Sequence, residues 1–228
     1  MPTRLYFHTT TASDVNPATG SWGEIGGALR RKLFLATEIN DALALGTRHD
    51  WAAGVTQLDR QYVSNPMEAG ISFSGVTVKL QLAAREFNNG DNSTSRMAMY
   101  IFSRDGATLR QTLLAIGQYG PATELLNNVS LRNKTYADGD TVTGTYTTVA
   151  GDRLVVEIGY ADAAGATPEG QARYGAPDGT ADHGENETET TSLVPWVNFS
   201  NTITFEAGPA SGGGYYIRRR RDELTGVC

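Results

Sequence analysis

The sequence predicts an all-β protein, specifically an antiparallel β-sandwich of the jelly-roll type with long surface loops and an extended C-terminal arm. Several segments alternate apolar and polar residues with a period of two, which is typical of half-buried strands. Threonine supplies 27 of the 228 residues and favours strand surfaces. Seven or eight such segments, separated by turn residues and without a sustained helical period between them, favour a sandwich over a parallel α/β sheet.

The first half of the chain contains four candidate strands. Residues 5–9 and 30–39 are the first two. The third, 75–86, places four aliphatic side chains on one face: Val76, Val78, Leu80 and Leu82. The fourth, 95–104, is apolar on both faces, with Met97, Met99 and Ile101 opposite Tyr100 and Phe102. A strand with two apolar faces is expected at the centre of the fold.

Turn signals organise the second half. Asp105-Gly106 predicts a hairpin between 95–104 and 108–116, because these residues tolerate the positive backbone angles of tight turns. Gly151-Asp152 predicts a second turn, between the threonine-rich strand 141–150 and the strand 152–161. A last strand is expected within 196–207. Residues 41–54 and 122–129 can each form a helical turn at most.

Composition divides the chain into a β-sandwich domain, residues 1–208, and an arm, residues 209–228. The arm has a glycine-rich hinge followed by aromatic and basic residues. Within the domain, residues 162–192 are almost devoid of aliphatic side chains and carry five acids after Gly175, which predicts a surface loop. Residues 87–95 form a second polar loop.

Charge separates the same two parts. The net charge is −6, with 19 basic and 25 acidic residues. Residues 217–228 contain four arginines and two acids, a charge of +2, so residues 1–216 carry 15 basic and 23 acidic residues, a charge of −8. An acidic body argues against nucleic acid as the partner. No apolar run is long enough to span a membrane and no signal peptide is recognised, so synthesis in the cytoplasm is expected.

Catalysis has little support, and no enzymatic activity is expected. The histidines His8, His49 and His183 are far apart and none lies beside a nucleophile motif. The carboxylates of Glu38, Glu86 and Glu157 lie on strand candidates and could form an acid–base pair only if the fold brought two of them together.

Calcium is the ion that the sequence favours, although a solvated acidic loop explains the same residues. One cluster of hard oxygen ligands lies in the long acidic loop: Asp178, Asp182, Glu185, Asn186 and Glu187. The polar loop supplies another: Asn88, Asn89, Asp91 and Asn92. Neither matches a defined calcium-binding loop, so no cofactor is expected.

Aromatic residues raise the hypothesis of carbohydrate binding. Trp22, Trp51 and Tyr174 could stack on sugar rings at the edge of a sandwich. The alternative, which the sequence favours, is that these rings cap the core, because the tryptophans are not spaced to share one strand face.

The C-terminal arm is the feature most typical of a binding segment. Tyr215, Tyr216 and Ile217 precede four arginines, Arg218, Arg219, Arg220 and Arg221. Guanidinium groups form paired hydrogen bonds with carboxylates or phosphates. We therefore expect the arm to bind a partner, with a solvated chain end as the alternative. Cys228, the single cysteine, can form an intermolecular disulfide or remain a free thiol.

Several stretches resemble a family of tailed-bacteriophage virion structural proteins, largely uncharacterised β-sandwich proteins. The resemblance extends over residues 3–205 and rests on six stretches: TRLYF (3–7), LDRQYVSNPM (58–67), ISFSGVTVKLQLAARE (71–86), TLLAI (112–116), AGDRLVVEIGYA (150–161) and LVPWVNFSNTITF (193–205). It implies a component of the virion and leaves head, neck and tail open. The arm lies outside it.

Together these observations predict a non-enzymatic virion protein, made in the host cytoplasm. It would act as a capsid decoration or a neck or tail component, binding other virion proteins and further copies of itself. The alternative is a carbohydrate-binding module for host attachment.

Overall fold

A computed structural model describes residues 1–35, 44–45, 55–86, 93–118, 132–135, 140–162, 170–174 and 194–207. Every regular element in these residues is a strand, which confirms the all-β prediction. The strands are β1 (Thr3–Ala12), β2 (Glu24–Phe34), β3 (Ala44–Leu45), β4 (Thr56–Ser64), β5 (Thr77–Glu86), β6 (Ser93–Phe102), β7 (Leu109–Gln118), β8 (Arg132–Thr135), β9 (Asp140–Thr141), β10 (Arg153–Asp162), β11 (Gly170–Tyr174) and β12 (Trp196–Phe199).

These strands form one curled sheet. Its order is β3-β11-β5-β12-β1-β2-β4-β10-β6-β7, and β8 and β9 also pair with β5. The pairs are antiparallel except β2 and β4, which run parallel. A jelly-roll sandwich is therefore not confirmed, since a sandwich has two separate antiparallel sheets. Because β2 pairs with β4, strands that would belong to two separate sheets in a sandwich lie in one continuous sheet.

The main core lies on the inner face of the sheet, where alternation places the side chains that the sequence predicted. Val76, Val78, Leu80 and Leu82 are buried there, as are Met97, Met99 and Ile101. Both faces of β6 are buried as predicted, but β6 lies between β10 and the end strand β7 and not at the centre of the sheet. Its other face carries Tyr100 and Phe102, which belong to a second buried cluster on the outer side of the sheet.

A strap, residues 13–23, covers this outer cluster. It connects β1 to β2 and brings Trp22 onto the faces of β4, β10 and β6, where it packs with six other buried residues: Leu58, Val63, Ala98, Tyr100, Phe102 and Val155. Since strand β10 has apolar neighbours on both sides, all of its described side chains are buried. The strap is thus what allows β10 to be apolar on two faces.

Both predicted turns are present, with glycine at the position that needs a positive φ: 74° at Gly106 and 93° at Gly151. The threonine-rich segment after β8 differs from its prediction as a hairpin strand. Only Asp140–Thr141 is regular strand. Beyond it, the amide of Val142 donates to the carbonyl of Val76, the residue before β5, whereas the amides of Thr143 and Gly144 donate to the carbonyl of Leu113 in β7. Residues 140–144 thus link β5 to β7, the strand at one end of the sheet.

Other boundaries also differ from expectation. The last strand ends at Phe199, and residue Phe205 makes only an isolated bridge with Met67. The predicted surface loop 162–192 contains strand β11, because Gly170–Tyr174 pairs with β5 and β3. Residues 44–45, within a predicted helical turn, form β3. The predicted arm, 209–228, and the segment 122–129 lie outside the described residues, as does the polar loop 87–92.

Candidate functional site

The strap is fixed to the sheet by a buried carboxylate, Glu157 of β10. Trp22 donates its indole N–H to Oε2 at 2.6 Å, and Gln61 donates its side-chain amide to Oε1 at 2.8 Å. The backbone amide of Gly20 donates to both oxygens, at 3.1 and 3.2 Å. Glu157 has no exposed surface. Three donors from two elements therefore hold one carboxylate between strap and sheet.

Burial raises the pKa of Glu157 above its ordinary value, while the hydrogen bonds from Trp22, Gln61 and Gly20 act in the opposite direction. Arg30 stabilises the arrangement from the next strand. It donates to Gln61 at 2.7 Å and to the carbonyl of Pro17 at 3.2 Å. The carboxylate is enclosed by these groups and joins the strap to the sheet, an arrangement that we call the latch.

Asp14 fixes the other end of the strap. Arg153 of β10 binds its two carboxylate oxygens at 3.0 and 2.8 Å, and Lys32 of β2 forms an ion pair with it. Arg153 also donates to the carbonyls of Ser64 and Arg104. Partial burial opposes ionisation of Asp14, but the two cations prevail and lower its pKa below 3.8.

We expect Asp14→Asn to destabilise the fold by up to about 1 kcal/mol at neutral pH, since the Asp14 side chain is half exposed. A lowered folded-state pKa means that the ionised carboxylate stabilises the fold above pH 3.8 and that this contribution is lost as pH falls through the lowered value. Urea unfolding at neutral pH and at about pH 3 checks this. A gap between wild type and variant that widened in acid would contradict it.

A groove runs between the strap and β7. Two adjoining hollows of about 150 and 440 Å³ share Thr19, Gly20, Tyr100 and Leu109 and so form one depression. The remaining lining residues are Ala18, Ser21, Phe102, Ala107, Thr112, Ala115 and Ile116. All of these side chains are uncharged. The groove is therefore suited to a neutral, largely apolar segment and offers no acid–base pair.

Tyr100 forms the floor of the groove. Only 7% of it is exposed, and a β-carbon built on Gly20 would lie 2.1 Å from its hydroxyl, so the strap can approach this closely only with glycine at position 20. Burial, together with the negative charge of Glu157, raises the pKa of Tyr100 well above its ordinary value. The phenol thus remains protonated over the whole physiological range.

A second buried polar cluster lies on the inner face. The carboxylate of Asp59 accepts hydrogen bonds from Tyr174 at 2.7 Å and from Tyr160 at 3.5 Å. Arg60 lies 5.2 Å from the centre of the Tyr174 ring. Burial, and then the negative charge of Asp59, raise the pKa of Tyr174 well above its ordinary value. This cluster is enclosed by core residues and holds β4, β10 and β11 together.

The residues proposed for sugar stacking do not come together in an open face. Trp22 is 8% exposed and engaged with Glu157, and Tyr174 is fully buried. Neither ring offers a face to a sugar, so their burial corrects the stacking hypothesis for these two residues and favours the alternative of core packing. Trp51 lies outside the described residues.

The other residues predicted for catalysis, metal binding or partner binding either lie apart in the fold or fall outside the described residues. His8 is buried in β1 against Phe34, with 4.3 Å between the ring centres. Glu86 is the last residue of β5, a strand that does not pair with β10. Residues outside the description include His49, His183, Glu38, both calcium clusters (88–92 and 178–187), Tyr215, Tyr216, Ile217, Arg218, Arg219, Arg220, Arg221 and Cys228. Within the described ranges, no group of three or more histidine, cysteine or acidic side chains could hold a metal.

Sequence reasoning missed the latch and the groove. One signal was present: in Val155, Glu157 and Gly159 a carboxylate and a glycine occupy the second face of an otherwise apolar strand. Nothing local identified the strap as their partner, since Trp22 lies more than 130 residues away in the chain. The described residues contain no helix that is long and apolar enough to span a membrane.

Comparison with known proteins leaves the family open. No family model matches the sequence, and no curated protein matches it. Among solved structures, similarity is found to infectious bursal disease virus, Gt strain, at 15% identity over 74% of this chain and 37% of that chain, with a TM-score of 0.30. The VP2 subviral particle of the same virus gives 14% identity, 72% and 40% coverage and a TM-score of 0.30.

A CocE/NonD family hydrolase from Staphylococcus aureus gives similar values: 11% identity, 87% and 34% coverage and a TM-score of 0.27. The chain spans well under half the length of each of these proteins. A viral particle protein and a hydrolase are matched at nearly equal TM-scores, so these similarities do not distinguish between functions, which are argued from the residues.

Proposed function

We propose that the chain is a non-enzymatic structural subunit of a virus particle, a capsid decoration or a neck or tail component. In this proposal it associates with other virion proteins and with further copies of itself through its surfaces and its C-terminal arm. The sequence resemblance over residues 3–205 motivates the virion role. The arm has a charge of +2 and the body a charge of −8. This contrast is the observation that supports association through the arm, because an arginine-rich segment is attracted to an acidic surface.

The use of the described ionisable groups supports a structural role. Glu157 and Asp59 are buried and engaged in hydrogen bonds that join separate strands. Arg153 and Asp14 fix the strap, and Arg104 of the β6–β7 turn pairs with Glu206, which follows the last strand. Side chains that could perform acid–base chemistry are thus employed in holding the sheet together.

The test is deletion of residues 209–228. The full chain is expected to self-associate at micromolar concentration, and the truncated chain to be a folded monomer, as measured by sedimentation velocity with circular dichroism as the folding control. Association should weaken as salt rises from about 0.05 to about 0.5 M, since screening reduces attraction between exposed charges. A full chain that remains monomeric throughout, or a truncated chain that associates equally well, would contradict the proposal.

A further inference from the structure

We propose that the groove between the strap and β7 is the docking site for residues 215–217 of the C-terminal arm, supplied by a second copy of the chain. This inference rests on the proposed function, in which the arm joins subunits. It adds the receiving surface, which is formed by residues 18–21 of the strap and by Tyr100, Leu109, Thr112 and Ile116.

The chemistry of the groove matches that segment. The lining is uncharged, with Phe102, Leu109 and Ile116 as its larger apolar side chains and Thr19, Ser21 and Thr112 as side chains that carry hydroxyls. Tyr215, Tyr216 and Ile217 form an apolar triplet whose rings also carry hydroxyls. Tyrosine fits a site whose lining combines apolar and hydroxyl-bearing side chains. The arginines that follow would remain outside the groove.

The Tyr100 hydroxyl supplies an independent indication of a ligand. It has no hydrogen-bond partner among the described residues, although the side chain is more than nine-tenths buried and faces both hollows. A backbone carbonyl or tyrosine hydroxyl of a docked segment would accept the phenolic proton of Tyr100 in place of water.

The position of the arm's origin supports the assignment. Glu206 binds Arg104 in the β6–β7 turn at 2.5 Å, and Ala107 of the same turn lines the groove. The described chain thus ends at the β6–β7 turn, whose Ala107 lines one end of the groove. The seven residues 208–214 span at most about 25 Å. An arm that filled its own groove would join no subunits, whereas an arm exchanged to a second copy gives a head-to-tail contact that can close into a ring.

Disulfide trapping tests the contact. Cys228→Ser removes the native thiol, after which one chain carries Thr112→Cys and another carries Tyr216→Cys. Mixing the two full-length chains under mild oxidation should give a disulfide-linked heterodimer, visible on a non-reducing gel. Failure to form it would overturn the inference, as would a chain carrying both cysteines that closes only within itself.

Ala115→Arg supplies a second test, because Ala115 is exposed and the added charge would block the groove without disturbing the core. Self-association should weaken at least about tenfold, whereas Val149→Arg, at an exposed position outside the groove lining, should leave it unchanged. If deletion of 209–228 abolishes association but Ala115→Arg does not, the groove inference fails and the proposed function stands. If the deletion has no effect, the proposed function itself fails.

Discussion

Replacing Gly159 with valine is expected to destabilise the protein by at least about 3 kcal/mol and to leave much of it insoluble. A β-carbon at this position would lie 2.0 Å from the carbonyl oxygen of Gln57 and 2.6 Å from the ring of Trp22. The first of these is backbone of the neighbouring strand β4, at a point where the β4–β10 register already shifts. Neither the backbone nor the enclosed indole can move aside without disrupting other contacts.

Thermal unfolding followed by circular dichroism measures this effect, and the expected decrease in Tm is roughly 10 °C. Gly117→Ala is the matched control. Gly117 also lies in a strand, but it is exposed, and the nearest atom to an added β-carbon is 3.7 Å away. Its stability should remain within about 0.5 kcal/mol of wild type. Equal stability of the Gly159→Val and Gly117→Ala variants would show that the strap does not pack on β10 as described.

Replacing Glu157 with alanine is expected to lower the free energy of unfolding by about 3–5 kcal/mol, since each buried donor left without an acceptor costs about 1–3 kcal/mol. The side chains of Trp22 and Gln61 and the amide of Gly20 would lose their shared acceptor while remaining buried. Glu157→Gln should cost less, because its carbonyl oxygen preserves part of the acceptor although its amide opposes the remaining donors. Urea unfolding monitored by tryptophan fluorescence gives the values, and the exposed Glu68→Ala is the control.

The wild-type protein and the Glu157→Gln variant are expected to differ in how their free energy of unfolding depends on pH. Since the folded-state pKa of Glu157 is raised, the folded protein retains this proton at pH values where the unfolded chain has released it. Its contribution therefore favours folding below the ordinary value of 4.5 and declines as pH rises from there through the raised pKa. Glu157→Gln should abolish this part of the decline. An unchanged pH profile in that variant would assign the effect to other groups.

The strands could be predicted from the sequence because their signal is local. Alternation in β5 and the two apolar faces of β6 each follow from fewer than a dozen residues, and the Gly106 and Gly151 turns from dipeptides. The pairing could not be predicted in the same way. The parallel contact between β2 and β4 and the bridge from β5 to β7 through Val142–Gly144 depend on distant segments, and threonine's strand preference does not specify a partner.

The site shows the same limit. The sequence favours packing of the Trp22 ring onto the core, and the burial of Trp22 agrees with this interpretation. Its hydrogen bond to Glu157 carried no local signal, because a glutamate in a strand is ordinarily read as solvent-facing. Glu157 is buried because the strap covers this face of β10. Tyr100 was assigned correctly to an apolar second face, but the groove above it depends on where residues 18–21 lie.

The pairing of β1 with β12 has a consequence for how the protein is made. Thr3 lies opposite Phe199, so β1 pairs with a strand that is synthesised almost 200 residues later. Until residue 199 has been synthesised, β1 and β5 each present an open edge, and open edges recruit strands from other chains. Completion of the sheet is therefore a late event whose rate is limited by long-range closure. A nascent chain whose synthesis stops before β12 would expose two unpaired strand edges at once, those of β1 and β5.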